Sequence, residues 1–141
     1  MTTYQSDIKT IFSNEEMVFN ILSDLNNLQK IKQLPALGDK VKNLQFDTDS
    51  FTIEVDMIGN IGFRVIMREP FKTIKFQSER APVTMTVLIQ LEQVKEKETH
   101  LYLILETELP PMIKMMVDKK LKEGINLVAD GISQALNAAL L

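Results

Sequence analysis

The chain has 141 residues, which suits a single domain, and we predict one domain over residues 1–141. The formal net charge of -3 argues against a nucleic-acid-binding protein, because such proteins carry a basic balance or stripe. The chain has no Cys and one His, which excludes disulfides, thiolate nucleophiles and metal sites built from Cys or several His residues. We see neither a secretory leader nor an apolar run of the roughly 20 residues that span a membrane. We therefore expect a cytoplasmic protein without stable membrane insertion.

The first predicted element is a strand over residues 3–12, because the sequence alternates there with period two. The residues assigned to its inner face are Tyr4, Ser6, Ile8, Thr10 and Phe12. The residues assigned to its outer face are Gln5, Asp7 and Lys9.

A pair of short helices is predicted next. Ser13 stands three residues before Glu16, which is the spacing of a capping box and predicts a helix start at Ser13. Apolar residues then recur at three- and four-residue steps as far as Ile31. Ser23 and Asp24 could cap a second helix, so we expect two short helices rather than one rod.

Six further strands, antiparallel because their connections are short, are predicted between residues 40 and 107. Gly59-Asn60 predicts a tight turn, and residues 95–98 predict a charged hairpin loop. Residues 40–46 are out of phase, which indicates a bulge or a late strand start. The residues that alternation assigns to the inner face of the sheet are all apolar: Phe51, Ile53, Val55, Met57, Phe63, Val65, Met67, Ile74, Phe76, Met85, Val87, Ile89, Leu91, Leu101, Leu103 and Leu105.

A long helix is predicted to close the chain. Pro110-Pro111 ends the sheet and suits a first helical turn, and no Pro follows. Its apolar positions recur at helical spacing and are Ile113, Val117, Leu121, Ile125, Val128, Ile132, Leu136 and Ala139. Thirty residues would run roughly 45 Å, which is long enough to make this helix the main partner of the sheet.

Two glycines, Gly124 and Gly131, lie seven residues apart on nearly the same face of this helix. Each costs about 1 kcal/mol relative to Ala in a helix interior. They could leave room for a ligand. They could instead let a strand side chain such as Phe63 or Phe76 approach closely, and we favour this second interpretation.

The order of strand, paired helices, six strands and long helix resembles the helix-grip fold of the START-like superfamily, also called SRPBCC or Bet v 1-like. Residues 13–28 look like its N-terminal helical signature, in which a Val18-Phe19 pair leads into an Asp24-x-x-x-Leu28 stretch. The resemblance implies an α+β fold, with a curved antiparallel sheet of about seven strands wrapped around the C-terminal helix. It also implies a hydrophobic cavity between sheet and helix. Members of similar layout bind lipids, quinones, sterols or polyketides, some are cyclases or dehydratases, and others activate chaperones.

We predict a ligand site between the sheet and the long helix, because apolar ligands need few polar groups for orientation. The predicted site residues are Tyr4, Ser6, Met57, Phe63, Val65, Met67, Phe76, Met85, Val87, Leu103, Thr107, Val117, Gly124 and Val128. The resemblance places the first and last strands side by side, so that Tyr4, Ser6 and Thr107 could bind a ligand carbonyl, or simply meet water at the end of the sheet. The same apolar residues could also pack as a dry core.

No catalytic residues, metal ligands or cofactor site are predicted. Alternation points His100 outward beside a charged turn, so a solvated surface role is the better interpretation. The acidic strand residues also point outward, which leaves no paired carboxylates for acid–base catalysis. Arg64 and Arg68 are expected to form cross-strand salt links with Glu54 and Asp56.

The leading hypothesis is therefore a non-enzymatic module that binds a hydrophobic small molecule. One alternative is a polyketide-type cyclase or dehydratase, which would need Tyr4, His100 or Glu106 to point inward. Another is a protein-interaction module with a filled core, or a homodimer, seeded by outward apolar residues such as Ile66 and Leu88. The lysines at 114–122 suggest a solvated helix face, with weak contact to anionic lipid headgroups as a minor alternative.

Overall fold

The computed structural model describes residues 1–28, 42–55, 59–79, 81 and 83–140. Its strands are β1 Thr2–Gln5, β2 Lys9–Ile11, β3 Lys42–Phe46, β4 Ser50–Val55, β5 Gly59–Glu69, β6 Thr73–Glu79, β7 Met85–Lys95 and β8 Glu98–Thr107. Its helices are α1 Glu15–Ser23, a 3-10 helix Leu25–Leu28 and α2 Pro111–Leu140.

The strands form one antiparallel sheet in the order β1-β8-β7-β6-β5-β4-β3, and β2 also pairs with β8. Consecutive strands from β3 to β8 are neighbours, as their short connections predict. The predicted α+β arrangement of an antiparallel sheet and a long C-terminal helix is confirmed. Within the described ranges the sheet has eight strands rather than about seven, because the predicted first strand is two strands.

The break between β1 and β2 reverses the predicted phase of the second half. Tyr4 pairs with Leu105, but Lys9 pairs with Leu101, so β8 has one residue fewer between the two pairs. The extra residue turns Lys9 and Ile11 inward, and Ile11 is fully buried. The assignment of Ile8, Thr10 and Phe12 to the inner face is therefore wrong, and the exposed fractions of Ile8 and Phe12 are 57% and 49%.

The helical pair begins one residue later than predicted. Asn14, not Ser13, is the N-cap, and its side chain accepts a hydrogen bond from the Met17 N–H at 2.9 Å. Helix α1 stops at Ser23, and the Asp24 side chain then accepts from the N–H of Asn26 at 3.0 Å. The predicted break at Ser23-Asp24 is confirmed.

A bulge in β5 moves two predicted side chains to the opposite face. Val65 pairs with Phe76, but Met67 pairs with Lys75, so Ile66 is an extra residue. The predicted inward orientation of Met67 is therefore wrong, and its exposed fraction is 41%.

The same bulge separates the two arginines. Arg64 donates to Glu79 on β6 at 2.6 Å. Arg68 turns to the other face, where its guanidinium donates to the Ser23 carbonyl at 2.8 Å and to the Asp49 carboxylate at 2.8 Å. The expected shared outward face of Arg64 and Arg68 is therefore wrong.

The predicted turn at Gly59-Asn60 is wrong, whereas the irregularity predicted for residues 40–46 is confirmed. Gly59 and Asn60 are the first residues of β5, paired with Val55 and Glu54, so the predicted tight turn at these two residues is wrong. The irregularity expected near the start of β3 is confirmed as a register shift between Lys42 and Gln45. The predicted helical pattern beyond residue 28 lies outside the described residues.

Helix α2 packs chiefly on β1, β2 and β8. Its buried apolar stripe is Ile125, Ala129, Ile132 and Leu136, spaced as one helix face requires. Ala129 replaces the predicted Val128, which is 43% exposed, and Ala139 is also exposed. No helix in the described part of the chain is long and apolar enough to cross a membrane.

Candidate functional site

Two asparagines on one flank of α2 bind the backbone at the edge of the sheet. Asn126 Oδ1 accepts a hydrogen bond from the Asp7 N–H at 2.8 Å. Three turns later, Asn137 Oδ1 accepts from the Phe12 N–H at 2.9 Å, and its Nδ2 donates to the Thr10 carbonyl at 3.0 Å. These side chains satisfy backbone groups that an edge strand would otherwise expose.

Asp130, between the two asparagines, and Asp118, nearer the start of the helix, add contacts on this flank. Asp130 forms an ion pair with Lys9, which the break between β1 and β2 turns toward the helix. Tyr4 donates its hydroxyl hydrogen to Asp118 Oδ1 at 2.7 Å, and Lys122 lies 3.2 Å from the other carboxylate oxygen. We call the row Asp118, Asn126, Asp130 and Asn137 the polar flank.

The protonation states of Tyr4 and Asp118 favour the hydrogen bond between them. Burial and the hydrogen bond to the Asp118 carboxylate raise the pKa of Tyr4 to about 12. Hydrogen bonds from Tyr4 and Lys122 hold the pKa of Asp118 below its usual value. At neutral pH the pair is thus a neutral phenol and a carboxylate, and the phenol cannot act as a general base.

The opposite flank of α2 is open. At about 100° per residue, Gly124 and Val128 lie roughly 160° around the helix from Asn126. A Cβ atom built on Gly124 would have no heavy atom within 4 Å. The favoured interpretation, close approach of a strand side chain such as Phe63 or Phe76, is therefore wrong for Gly124.

An open groove of about 370 Å³ lies on this flank. Among the described residues it is lined by Lys120, Glu123, Gly124 and Leu127. The side chain of Val128, next to the groove on the helix surface, is 43% exposed. We call Gly124, Leu127 and Val128 the open flank.

The inner face of the sheet carries an aromatic cluster on β4, β5 and β6. The rings of Phe51 and Phe63 stack at 5.3 Å, and Phe76 meets Phe51 edge-on at 5.9 Å. Phe63 and Phe76 are buried, whereas Phe51 keeps part of its surface. Helix α2 packs chiefly on β1, β2 and β8, so this cluster lies on strands that are not its main partners.

No protein-family model and no curated protein matches the sequence. Solved structures do match over nearly the whole chain. Norcoclaurine synthase from Thalictrum flavum, in complex with dopamine and hydroxybenzaldehyde, has a TM-score of 0.72 at 13% identity, covering 94% of this chain and 86% of that one. A protein of Thermus thermophilus gives 0.70 at 16% identity, with 99% and 100% covered, and the Aha1 dimer from Colwellia psychrerythraea gives 0.64 at 17%, with 97% of each covered.

The chain has a Bet v 1-like, helix-grip fold. Identities of this size show the fold alone, so the ligands of these neighbours are theirs and not this chain's. The helix-grip fold that the resemblance implies is thereby confirmed.

Most of the predicted site residues do lie on the inner face of this helix-grip sheet or on α2. The inner-face group is Phe63, Val65, Phe76, Met85, Val87 and Leu103, of which Val65 and Val87 keep part of their surface. The helix group is Val117, Gly124 and Val128, none of them fully buried. Met67 points outward because of the bulge, and Met57 lies outside the described residues.

The three predicted hydroxyls are buried, with exposed fractions of 4% or less, and each has an internal partner. Tyr4 donates to Asp118 as described. Ser6 bridges the break between β1 and β2, because its Oγ accepts from the Leu103 N–H at 2.9 Å. Thr107 donates to the Thr84 carbonyl at 3.0 Å. These three hydroxyls are neither exposed to water nor free to donate. A ligand carbonyl would therefore have to displace one of their hydrogen bonds.

His100 and Glu106 both lie on the outer face of the sheet, where they pair with Glu92 and Thr86 on β7. Among the described residues, no group of three His, Cys, Asp or Glu side chains is placed to hold a metal ion. In that same part of the chain, every buried side-chain nitrogen and oxygen has a hydrogen-bond partner.

Sequence reasoning missed the polar flank. Its signal was present, since Asp118, Asn126, Asp130 and Asn137 recur at multiples of roughly one helical turn. The prediction for α2 rested on its apolar stripe alone. A strand that is continuous over residues 3–12, as predicted, would have no break at which asparagines bind the backbone.

Proposed function

We propose that this protein binds a hydrophobic small molecule of lipid, quinone or polyketide type without catalysing a reaction. The site lies between the open flank of α2 and the inner face of the sheet. The observation that carries the proposal is the empty space beside Gly124. Gly in a helix interior costs about 1 kcal/mol relative to Ala, and here no neighbouring atom requires it. A ligand that occupies the space would explain the small residue.

The chemistry of the surroundings favours an apolar ligand. Phe51, Val65 and Val87 keep partly exposed apolar surface on the inner face, and Val128 does so on the helix. The groove of about 370 Å³ is open to solvent, and among the described residues it is lined by α2 alone. Lys120 and Glu123 also line the groove, so we expect a ligand that carries a polar head group.

The positions of the candidate acid–base residues do not favour catalysis. A cyclase or dehydratase of the kind considered above needs a buried acid or base, and Tyr4 is the one of its three candidates that points inward. Its hydroxyl already donates to Asp118, and its pKa of about 12 keeps it protonated at neutral pH. Tyr4 is better explained as a structural residue, whose hydrogen bond to Asp118 holds the first half of α2 to β1.

Native mass spectrometry of the purified protein, followed by denaturing extraction, tests the proposal. We expect a stoichiometric apolar molecule, or uptake of one member of a panel of fatty acids and quinones by ligand-free protein. A chain that neither retains nor takes up any of these would have a dry interior, and the binding proposal would be wrong.

A pair of variants locates the site. Gly124→Phe places a ring in the empty space and should abolish uptake. Ala138→Phe adds the same ring at an exposed position on the same helix and should leave uptake unchanged. Equal uptake by both variants would rule out the space beside Gly124. A cytoplasmic location and formation of homodimers stay predictions.

A further inference from the structure

The first turns of α2 expose four large apolar side chains. The exposed fractions are 79% for Met112, 42% for Ile113, 84% for Met115 and 73% for Met116. We call these four residues the methionine tip. Exposed apolar side chains that occur singly need no explanation, but four within five positions form a contiguous patch.

The methionine tip forms a broad apolar face on one side of the helix. At about 100° per residue, Met112, Ile113, Met115 and Met116 span roughly 160° of the helix circumference, and Lys114 points to the opposite side. The interfacial layer of a bilayer can accommodate such a face, and flexible thioethers adapt to a fluid surrounding.

The charge around the tip favours an anionic surface. The segment 111–124 carries four lysines against two acids, so it is positive by two charges, although the chain as a whole has a net charge of -3. The first turn of α2 has no acidic residue to offset the positive end of the helix dipole. Lys114 stands between the tip residues in the sequence, and Lys119, Lys120 and Lys122 follow on the next turns.

We propose that the methionine tip inserts into the headgroup region of an anionic phospholipid bilayer, with the lysines of α2 contacting the lipid phosphates. The interaction is peripheral and reversible, because one helical turn enters the interface. Gly124 lies nine residues from Met115, which is roughly 14 Å along the helix. Docking would therefore bring the open flank close to the membrane, a consequence that rests on the proposed function, whereas the docking itself does not.

A single tryptophan reports insertion cleanly, because the chain contains no Trp. Met115→Trp should show a blue-shifted emission when mixed with vesicles of phosphatidylcholine and phosphatidylglycerol, and no shift with phosphatidylcholine alone. The matched control is Met17→Trp, at a 48% exposed position on α1. Helix α1 contacts β7 and β8, and its Glu15 N–H donates to Gln93 near the end of β7. The control should show no shift with either vesicle.

Co-sedimentation with the same vesicles measures the two contributions separately. Replacing Met112 and Met115 by Ser should weaken binding roughly tenfold or more, and so should Lys114→Glu combined with Lys119→Glu. Met17→Ser should bind like the unmodified protein. Circular dichroism of each variant checks that the fold is retained.

Three outcomes would overturn the proposal. The first is no sedimentation of the unmodified protein with anionic vesicles, and the second is equal binding to neutral and anionic vesicles. The third is a dimer in solution that Met115→Ser dissociates, which would assign the tip to a second copy of the chain. Uptake of a fatty acid or quinone in the absence of vesicles should survive the tip substitutions, so failure of docking and failure of ligand binding are distinguishable.

Discussion

Replacing Gly124 by Ala should stabilise the protein, although most substitutions destabilise. The added methyl group meets no heavy atom within 4 Å, so it neither clashes nor gains packing. What remains is the difference in helix propensity, which is about 1 kcal/mol in favour of Ala. For a chain of this size that free energy corresponds to a rise of about 3 °C in the melting temperature.

Urea unfolding followed by circular dichroism measures this effect, on protein from which any bound molecule has first been extracted. The midpoint should rise by about 0.5 M at an unchanged slope. The reverse change at an exposed position of the same helix, Ala138→Gly, is the control and should lower the midpoint.

A fall in stability with Gly124→Ala would refute this reasoning. It would mean that another group occupies the space beside Gly124 and that a methyl group has to displace it. The proposed ligand site would then lose the observation that carries it, whatever the result of the uptake experiment.

Three other substitutions test the contacts that hold α2 on the sheet. Tyr4→Phe removes the hydrogen bond to Asp118 and should cost about 1–2 kcal/mol at neutral pH. Because folding raises the pKa of Tyr4 from 10.0 to about 12, its stabilising effect is complete below pH 10 and is lost as the pH rises toward 12, so urea midpoints across that range should fall more steeply for the unmodified protein than for Tyr4→Phe. Asn137→Ala leaves two backbone groups at the end of β2 without their partner, and we expect a loss of about 1 kcal/mol in urea unfolding. Ala129→Leu overpacks a fully buried position of α2, and calorimetry should show a loss of about 1–3 kcal/mol, whereas a tolerated leucine would mean that the helix packs loosely.

The elements with uninterrupted periodicity could be predicted from the sequence. In β7 and β8, Met85, Ile89 and Leu103 lie on the inner face as alternation requires, and the register confirms that these strands are antiparallel neighbours. The long helix begins at Pro111, as the Pro110-Pro111 pair indicates. Each of these predictions depends on a local sequence pattern that the strand or helix follows without an inserted residue.

The strand residues that were assigned to the wrong face share one physical cause, which is a single extra residue in a strand. The extra residue between β1 and β2 turned Lys9 and Ile11 inward, and Ile66 in β5 turned Met67 outward. A one-residue slip exchanges the two faces of a strand from that point on, and no residue type marks its position reliably. The inner face of the candidate site could therefore be predicted along most strands but not beyond the bulges.

The polar flank of α2 explains how an open flank can persist on the same helix. Hydrogen bonds from Asn126 and Asn137 to backbone groups of the sheet edge fix the rotation of the helix about its axis, because their geometry tolerates little misalignment. A helix positioned by apolar contacts alone would gain free energy by rotating until Val128 was buried. That rotation would pull both asparagines from their partners and leave the edge N–H groups unsatisfied. The polar contacts thus keep Gly124 and Val128 outside the buried stripe, on the flank where we propose that the ligand binds.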